Sequence, residues 1–254
     1  MDFNKHYDKV APHYDEFKLC EWDDKMFPWT IDQTKTKLGL QKDDCLADIG
    51  GGTGRAIGHL KDLVQPDTPW ICMDPSSGMC EVAGKREGLV ILQSRADTVT
   101  TVLNKAHLMV NPNKFMCRYA AHHFKDVFPK FAQDLFSYLQ SGGQMLLLVT
   151  DRKCSLPMFD EARRRFAESN PDPMLYVDSF NQAGFSTTID RRDYTTKGTK
   201  KFWYDLIRNR MFSTLRDFTD AEIEDGIKEL DDKYPDTDEL PLISHEVFIL
   251  ATKP

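Results

Sequence analysis

The chain has no Cys-x-x-Cys pair, no apolar stretch long enough to span a bilayer and no excess of positive charge. Its six cysteines, Cys20, Cys45, Cys72, Cys80, Cys117 and Cys154, are scattered without the spacing that zinc ligands need. No metal site is expected, and several thiols sit in apolar runs, where Cys behaves as a small buried hydrophobe. The longest aliphatic run, Met145 to Val149, is far too short for a membrane span, and the opening Met1-Asp2-Phe3-Asn4-Lys5-His6 lacks the apolar centre of a secretory signal. A cytoplasmic chain with no membrane contact is therefore expected. With 33 Lys and Arg against 40 Asp and Glu, the formal charge of -7 works against tight association with phosphate backbones, so nucleic acid is not an expected partner.

What is present is an alternation. Short runs rich in Val, Ile, Leu and Met are separated by longer amphipathic stretches, the pattern of a doubly wound α/β sheet with helices on both faces. Strands are expected at 45–50, 70–74, 89–94, 114–118 and 144–150. Helices are expected from just after Gly54 to about Val64 and from about Val127 to Leu139, the latter ending at Ser141-Gly142-Gly143. Beyond Asp151 the alternation weakens. Residues 185–194 and 246–252 read as a sixth and a seventh strand, with helical patterns at 199–214 and 219–233 between them forming a cap. At 254 residues one domain is expected, 1–254, with a core over 41–190, a helical insertion over 195–240 and a final strand within 245–254.

The most informative segment is Asp48-Ile49-Gly50-Gly51-Gly52-Thr53-Gly54-Arg55, where four glycines crowd a turn between an expected strand and an expected helix. Such a turn lets backbone approach a ligand closely and aims helix N-terminal N–H groups at it. A dinucleotide fingerprint needs Gly or Ala at the sixth position; counted from Gly50 that residue is Arg55, and counted from Gly52 it is Ile57. No Gly-Lys-Ser or Gly-Lys-Thr follows, so a P-loop is excluded as well. G-x-G-x-G remains, with Asp48 two positions before it.

This segment resembles motif I of the class I S-adenosylmethionine-dependent methyltransferases, and the likeness continues in order to about residue 150. Asp74, in Met73-Asp74-Pro75-Ser76, lies about twenty residues past the loop, where a carboxylate can accept from ribose hydroxyls. Arg95-Ala96-Asp97 matches the position where an Asp contacts the adenine amino group. Tyr119-Ala120-Ala121-His122-His123-Phe124 looks like the His-His-Phe segment of the type 11 small-molecule branch, and Ser141-Gly142-Gly143 stands at the family's Pro-Gly-Gly turn. The resemblance implies a Rossmann-like seven-stranded sheet of order 3-2-1-4-5-7-6 with a helical cap between strands six and seven. It implies S-adenosylmethionine as cofactor and S-adenosylhomocysteine as product. Asp48, Gly50, Gly51, Gly52 and Gly54 would hold the methionine part. Asp74, Pro75, Ser76 and Met79 would flank the ribose, Ala96 and Asp97 the adenine, and Arg118 and Tyr119 the end of strand four. Residues 1–40 would form a helical lid, in which Tyr14, within Tyr7 to Asp15, either meets the cofactor carboxylate or packs on the sheet edge.

A sulfonium methyl is already activated, so an enzyme of this kind has chiefly to hold a nucleophile in line and exclude water. An oxygen acceptor gains from a general base, which points to His122 and His123, the latter also facing the acceptor; both could instead pack beneath a short helix. No Asn-Pro-Pro-Tyr follows strand four, which argues against protein glutamine and DNA adenine as substrates. Arsenic chemistry would need thiolates such as Cys117 and Cys154 at the site. The expected acceptor is a small molecule reacting at oxygen, nitrogen or carbon, and the chain would act as a monomer or homodimer. A noncatalytic S-adenosylmethionine-binding regulator is the alternative. Within the cap, Trp203, Leu206, Ile207, Arg210 and Thr214 share one helical face. Either Trp203, Ile207 and Arg210 roof the acceptor pocket, with Arg210 gripping an anion, or Arg210 forms an internal salt bridge.

Overall fold

A computed structural model describes residues 7–8, 11–15, 25–153 and 155–254, with the side chain of Ser213 left aside. Lys9, Val10 and residues 16–24 of the expected lid, as well as Cys20 and Cys154, lie outside the described residues. Strands β1 (Leu46–Ile49), β2 (Trp70–Asp74), β3 (Leu89–Gln93), β4 (Lys114–Arg118), β5 (Gln144–Thr150), β6 (Ser186–Thr199) and β7 (Glu239–Thr252) form one sheet of order β3-β2-β1-β4-β5-β7-β6. The order is the expected one. β1 to β5 run parallel, and β7 enters antiparallel between β5 and β6. Every residue of β1 and β2 is buried, as strands covered on both faces require.

Helices α1 (Met26–Leu38) and α2 (Arg55–Val64) cover one face, packing Ile31, Leu38, Ile57 and Leu60 on Leu46, Met116, Leu148 and Phe248. α3 (Ser77–Ala83) follows β2. On the other face α4 (Val99–Lys105), α5 (Phe128–Tyr138) and α7 (Pro173–Ala183) bring Phe128, Phe131, Tyr176 and Phe180 against Phe115, Leu147 and Ile249. A separate apolar cluster belongs to the cap. It joins α6 (Asp160–Ser169), α8 (Lys200–Arg208) and α9 (Asp220–Lys233), with Trp203, Ile207, Leu215 and Ile227 around Phe159, Leu240 and Leu242.

Four elements differ from expectation. The cap helix expected over 199–214 ends at Arg208: Asn209 caps it, Arg210 turns into the left-handed region at φ 51°, and Thr214 falls in a separate 3₁₀ turn, Ser213–Leu215. β6 and β7 run beyond their expected limits as a paired ribbon from Thr195↔Ile243 to Thr199↔Glu239, where the buried Leu240 and Leu242 supply an inward face for the cap. α6 was hidden by its sequence, Asp160-Glu161-Ala162-Arg163-Arg164-Arg165-Phe166, in which only Ala162 and Phe166 are buried. At the root of the ribbon His245 is held on both ring nitrogens, Nδ1 by Asp193 at 2.6 Å and Nε2 by the Ser155 hydroxyl at 2.7 Å, which ties the segment after β5 to the two strands. No described helix is long and apolar enough to cross a membrane.

Candidate functional site

The carboxyl ends of β1, β2 and β4 open into a cavity of about 530 Å³, a size that suits a nucleoside-bearing ligand. Its floor is the glycine loop. Gly50 turns at φ 69° with so little space that a Cβ would stand 2.6 Å from the Cβ of Ala120, which fixes the approach of the β1 loop to the β4 loop. Gly52, at φ 56°, has only the Met79 sulfur nearby, 3.9 Å from where a Cβ would be, so its bare backbone faces the cavity. Gly51 lines the cavity too. Gly54 does not: it is the N-cap of α2 and packs toward Ala83 and Leu89.

Asp74 sits at the end of β2 with its carboxylate pinned on both sides, Oδ2 accepting from the Gly52 N–H and Oδ1 from the Ser76 N–H, each at 2.9 Å. Each oxygen keeps a second lone pair, and the residue lines the cavity. Burial raises its carboxyl above the usual range against the pull of those two backbone donors. Ser76 caps α3 and turns its hydroxyl to Asp8 rather than to the cavity. Pro75, Met79, Ala96 and Asp97 do line it, Asp97 being gripped by Arg95 at 3.1 Å.

Asp48 is 2% exposed and its Oδ1 has no hydrogen-bond partner. Desolvation pushes its carboxyl up to about 7, against the charge of Arg118. Arg118 and Tyr119 complete this wall. Arg118 donates to the Thr30 hydroxyl at 2.6 Å, and Tyr119 is a non-glycine residue held at φ 53°, a conformation that side chains avoid unless their surroundings impose it.

Tyr7, Tyr14 and Asp15 close the cavity from the N-terminal side. The Asp8 carboxylate accepts from the Gly78 N–H at 2.9 Å and from the Ser76 hydroxyl at 2.7 Å, and its backbone lies so near Gly78 that a Cβ there would meet it at 2.9 Å. Asp15 accepts from Thr53 at 2.6 Å and from Arg86 at 2.5 Å. The sequence marks the segment from Tyr7 to Asp15 but assigns no role to Asp8, Asp15, Phe27 or Arg55, because nothing local marks partners separated by as many as 71 positions.

The two histidines part company. His123 lines the cavity, its Nε2 3.1 Å from the Tyr7 hydroxyl, whereas His122 lies behind it with ring centroids 3.9 Å apart and does not reach the cavity. Desolvation, helped by the charge of Arg216, holds His123 down to about 4; desolvation and the neighbouring His123 and Lys125 hold His122 down to about 3. Both are neutral near pH 7, and an imidazole of such low basicity serves better as a hydrogen-bond acceptor than as a proton abstractor.

Of the two arrangements open to the cap, the roof does not form, since Trp203, Ile207 and Arg210 do not line the cavity. Trp203 is fully buried in the cap cluster with its indole N–H on the Pro157 carbonyl, and Ile207 packs beside it. Arg210, off the helix, donates to the Phe218 carbonyl at 3.0 Å and to Asp220 at 2.5 Å, so the internal salt bridge is the arrangement present. Cys117 is buried in the sheet, where desolvation raises its thiol pKa strongly. Among the described residues no three His, Cys, Asp or Glu side chains converge as metal ligands.

No protein-family model matches the chain, and no curated protein matches it in sequence. Its backbone, however, superposes on many solved structures. The YcgJ protein of Bacillus subtilis is 16% identical with a TM-score of 0.59, over 88% of this chain and 97% of that one. Phosphoethanolamine N-methyltransferase 2 of Haemonchus contortus, solved with S-adenosyl-L-methionine, is 15% identical with a TM-score of 0.58, over 97% of this chain and 57% of that one. The cyclase SpnF is 12% identical with a TM-score of 0.62, over 99% and 95%. What these proteins share with this chain is the Rossmann-like methyltransferase fold, with its seven-stranded sheet.

Proposed function

We propose that the chain is an S-adenosylmethionine-dependent methyltransferase acting on a small molecule. The observation that carries this reading is Asp74: a carboxylate locked by Gly52 and Ser76, with free lone pairs on both oxygens and beside an open glycine backbone, suits a vicinal diol. The cavity residues fit the cofactor. Asp74 would take the ribose hydroxyls, and Ala96 and Asp97 would flank the adenine. Gly50, Gly51, Gly52 and the partnerless Asp48 oxygen would face the methionine end. Bound there, the cofactor supplies a methyl group activated by its positive sulfur.

The protein's own part is to orient the acceptor and keep water out. Tyr7, Phe124 and Val127 give the cavity apolar walls, and His123 with the Tyr7 hydroxyl offers a neutral hydrogen-bonding pair to an acceptor N–H or O–H. An acceptor with its own nucleophilic lone pair at neutral pH needs no strong base, which agrees with an imidazole held near 4. The likeness to an N-methyltransferase that binds S-adenosyl-L-methionine supports the cofactor, while the likeness to a cyclase shows why fold alone is not enough. Calorimetric titration with S-adenosylmethionine, S-adenosylhomocysteine and NAD tests the reading. The first two should bind and NAD should not, and S-adenosylhomocysteine should accumulate when a metabolite extract supplies the acceptor. Absence of binding by both sulfur nucleosides would overturn it.

A further inference from the structure

Three ionisable side chains stand in a row on the α1 face of the sheet. Asp48 is the penultimate residue of β1, Arg118 ends β4 and Glu246 lies on β7. Their common face follows from register. Asp48 is opposite Met116, two residues before Arg118; Arg118 is opposite Leu148, which is opposite Phe248, two residues from Glu246. Asp48 and Arg118 line the cavity, whereas Glu246, 1% exposed, stays behind it. The charge of Arg118 acts on both carboxyls, and the Tyr119 hydroxyl stands beside that of Glu246. Asp48 Oδ1 and Arg118 Nε, though buried, have no hydrogen-bond partner.

The charge of one half-buried base acts on two buried acids, so with all three ionised one negative charge remains uncompensated. Were Glu246 absent, the charge of Arg118 would offset that of Asp48 alone, and the two would add no net charge to a wall that already carries Asp74. With Glu246 drawing on the guanidinium, the Asp48 charge faces the cavity in a medium of low polarisability, where charge acts strongly. A sulfonium cofactor carries one positive charge more than the thioether left after transfer. We propose that Glu246 is a positioning residue which, through Arg118 and Asp48, makes the cavity prefer the sulfonium cofactor to its thioether product, so that transfer of the methyl group itself loosens what remains.

This inference rests on the function proposed above, and Glu246→Gln tests it because the amide keeps the shape and removes the charge. At about pH 8, above the values of about 7 and about 6 to which burial pushes Asp48 and Glu246, the variant should bind S-adenosylmethionine about tenfold more weakly. Its affinity for S-adenosylhomocysteine should be unchanged. Equal losses for both ligands, or none, would overturn the inference. The wild-type protein gives an independent reading. Its preference for S-adenosylmethionine should shrink between about pH 8 and about pH 5 as the two carboxyls take up protons, and a constant preference overturns the inference even if the variant does not fold. The groups facing Asp48 are Arg118, Asp74, Cys72 and Cys117; those facing Glu246 are Arg118, Tyr119, Ser244, His245 and, across β6, Arg192. Failure of the wild type to bind either ligand would remove the proposed function along with the inference, whereas binding without preference would remove the inference alone.

Discussion

Arg86 donates to the Asp15 carboxylate at 2.5 Å and to the Thr53 carbonyl at 2.8 Å, so one guanidinium ties the N-terminal segment to the glycine loop. Both side chains of the ion pair are 34% exposed, and such a pair adds little to global stability. Its effect should be on the door of the cavity. Arg86→Ala should therefore release S-adenosylmethionine about three- to tenfold faster, by stopped-flow dissociation, with a melting temperature close to that of the wild type. An unchanged release rate would show that the segment is not the barrier to exit.

The carboxylate of Asp74 should be the strongest single determinant of nucleoside affinity. Asp74→Ala removes hydrogen bonds to a charged acceptor worth about 1.5–3 kcal/mol each, so titration should show a loss of at least about tenfold. The backbone N–H groups of Gly52 and Ser76 lose their partner in the same step, and some loss of melting temperature is expected with it. Wild-type affinity in a folded variant would remove Asp74 from the site.

His123 gives a pH signature. Its folded-state value is depressed to about 4, so the imidazole is neutral throughout the range above about pH 5 and does not titrate there. His123→Ala should lower turnover by a factor that stays constant from about pH 5.5 to about pH 8, through lost positioning, with cofactor affinity retained. A deficit that closes as pH rises would instead identify a base of ordinary basicity. His122→Ala, behind the wall, should act on stability more than on turnover.

Arg210 holds the end of the cap helix. Its bonds to the Phe218 carbonyl carry more weight than the ion pair, because Asp220 is 95% exposed. Arg210→Ala should cost about 1–3 kcal/mol in denaturant unfolding, with an unaltered Michaelis constant for the acceptor. A raised acceptor constant at wild-type stability would reverse this assignment.

The parts of the molecule that the sequence made legible are those whose signal is local. The run from Asp48 to Gly54, Asp74 at the end of its all-buried strand, and the exit at Ser141-Gly142-Gly143, with Gly142 at φ 81°, each carry their turn chemistry within a few residues. Arg210 misled because its helical spacing from Trp203 and Ile207 continues past the point where Asn209 ends the helix; periodicity reports a face, not a terminus. Glu246 reads as the polar start of a strand and gives no hint of burial until β7 is set between two neighbours. Tyr119 is as opaque, since nothing in its neighbours announces a positive φ.

The placement of β7 also governs the order in which the sheet can be completed during synthesis. Every other strand precedes it in the chain, yet it lies between β5 and β6 and pairs with both. Until Thr252 has left the ribosome, β5 presents an open edge through Leu146, Leu147 and Leu148, and β6 has no neighbour at all. The nascent chain is thus obliged to keep one edge of its most apolar strand open, with β4 on the other edge as its one neighbour, until β7 arrives, and in that interval it is most exposed to aggregation.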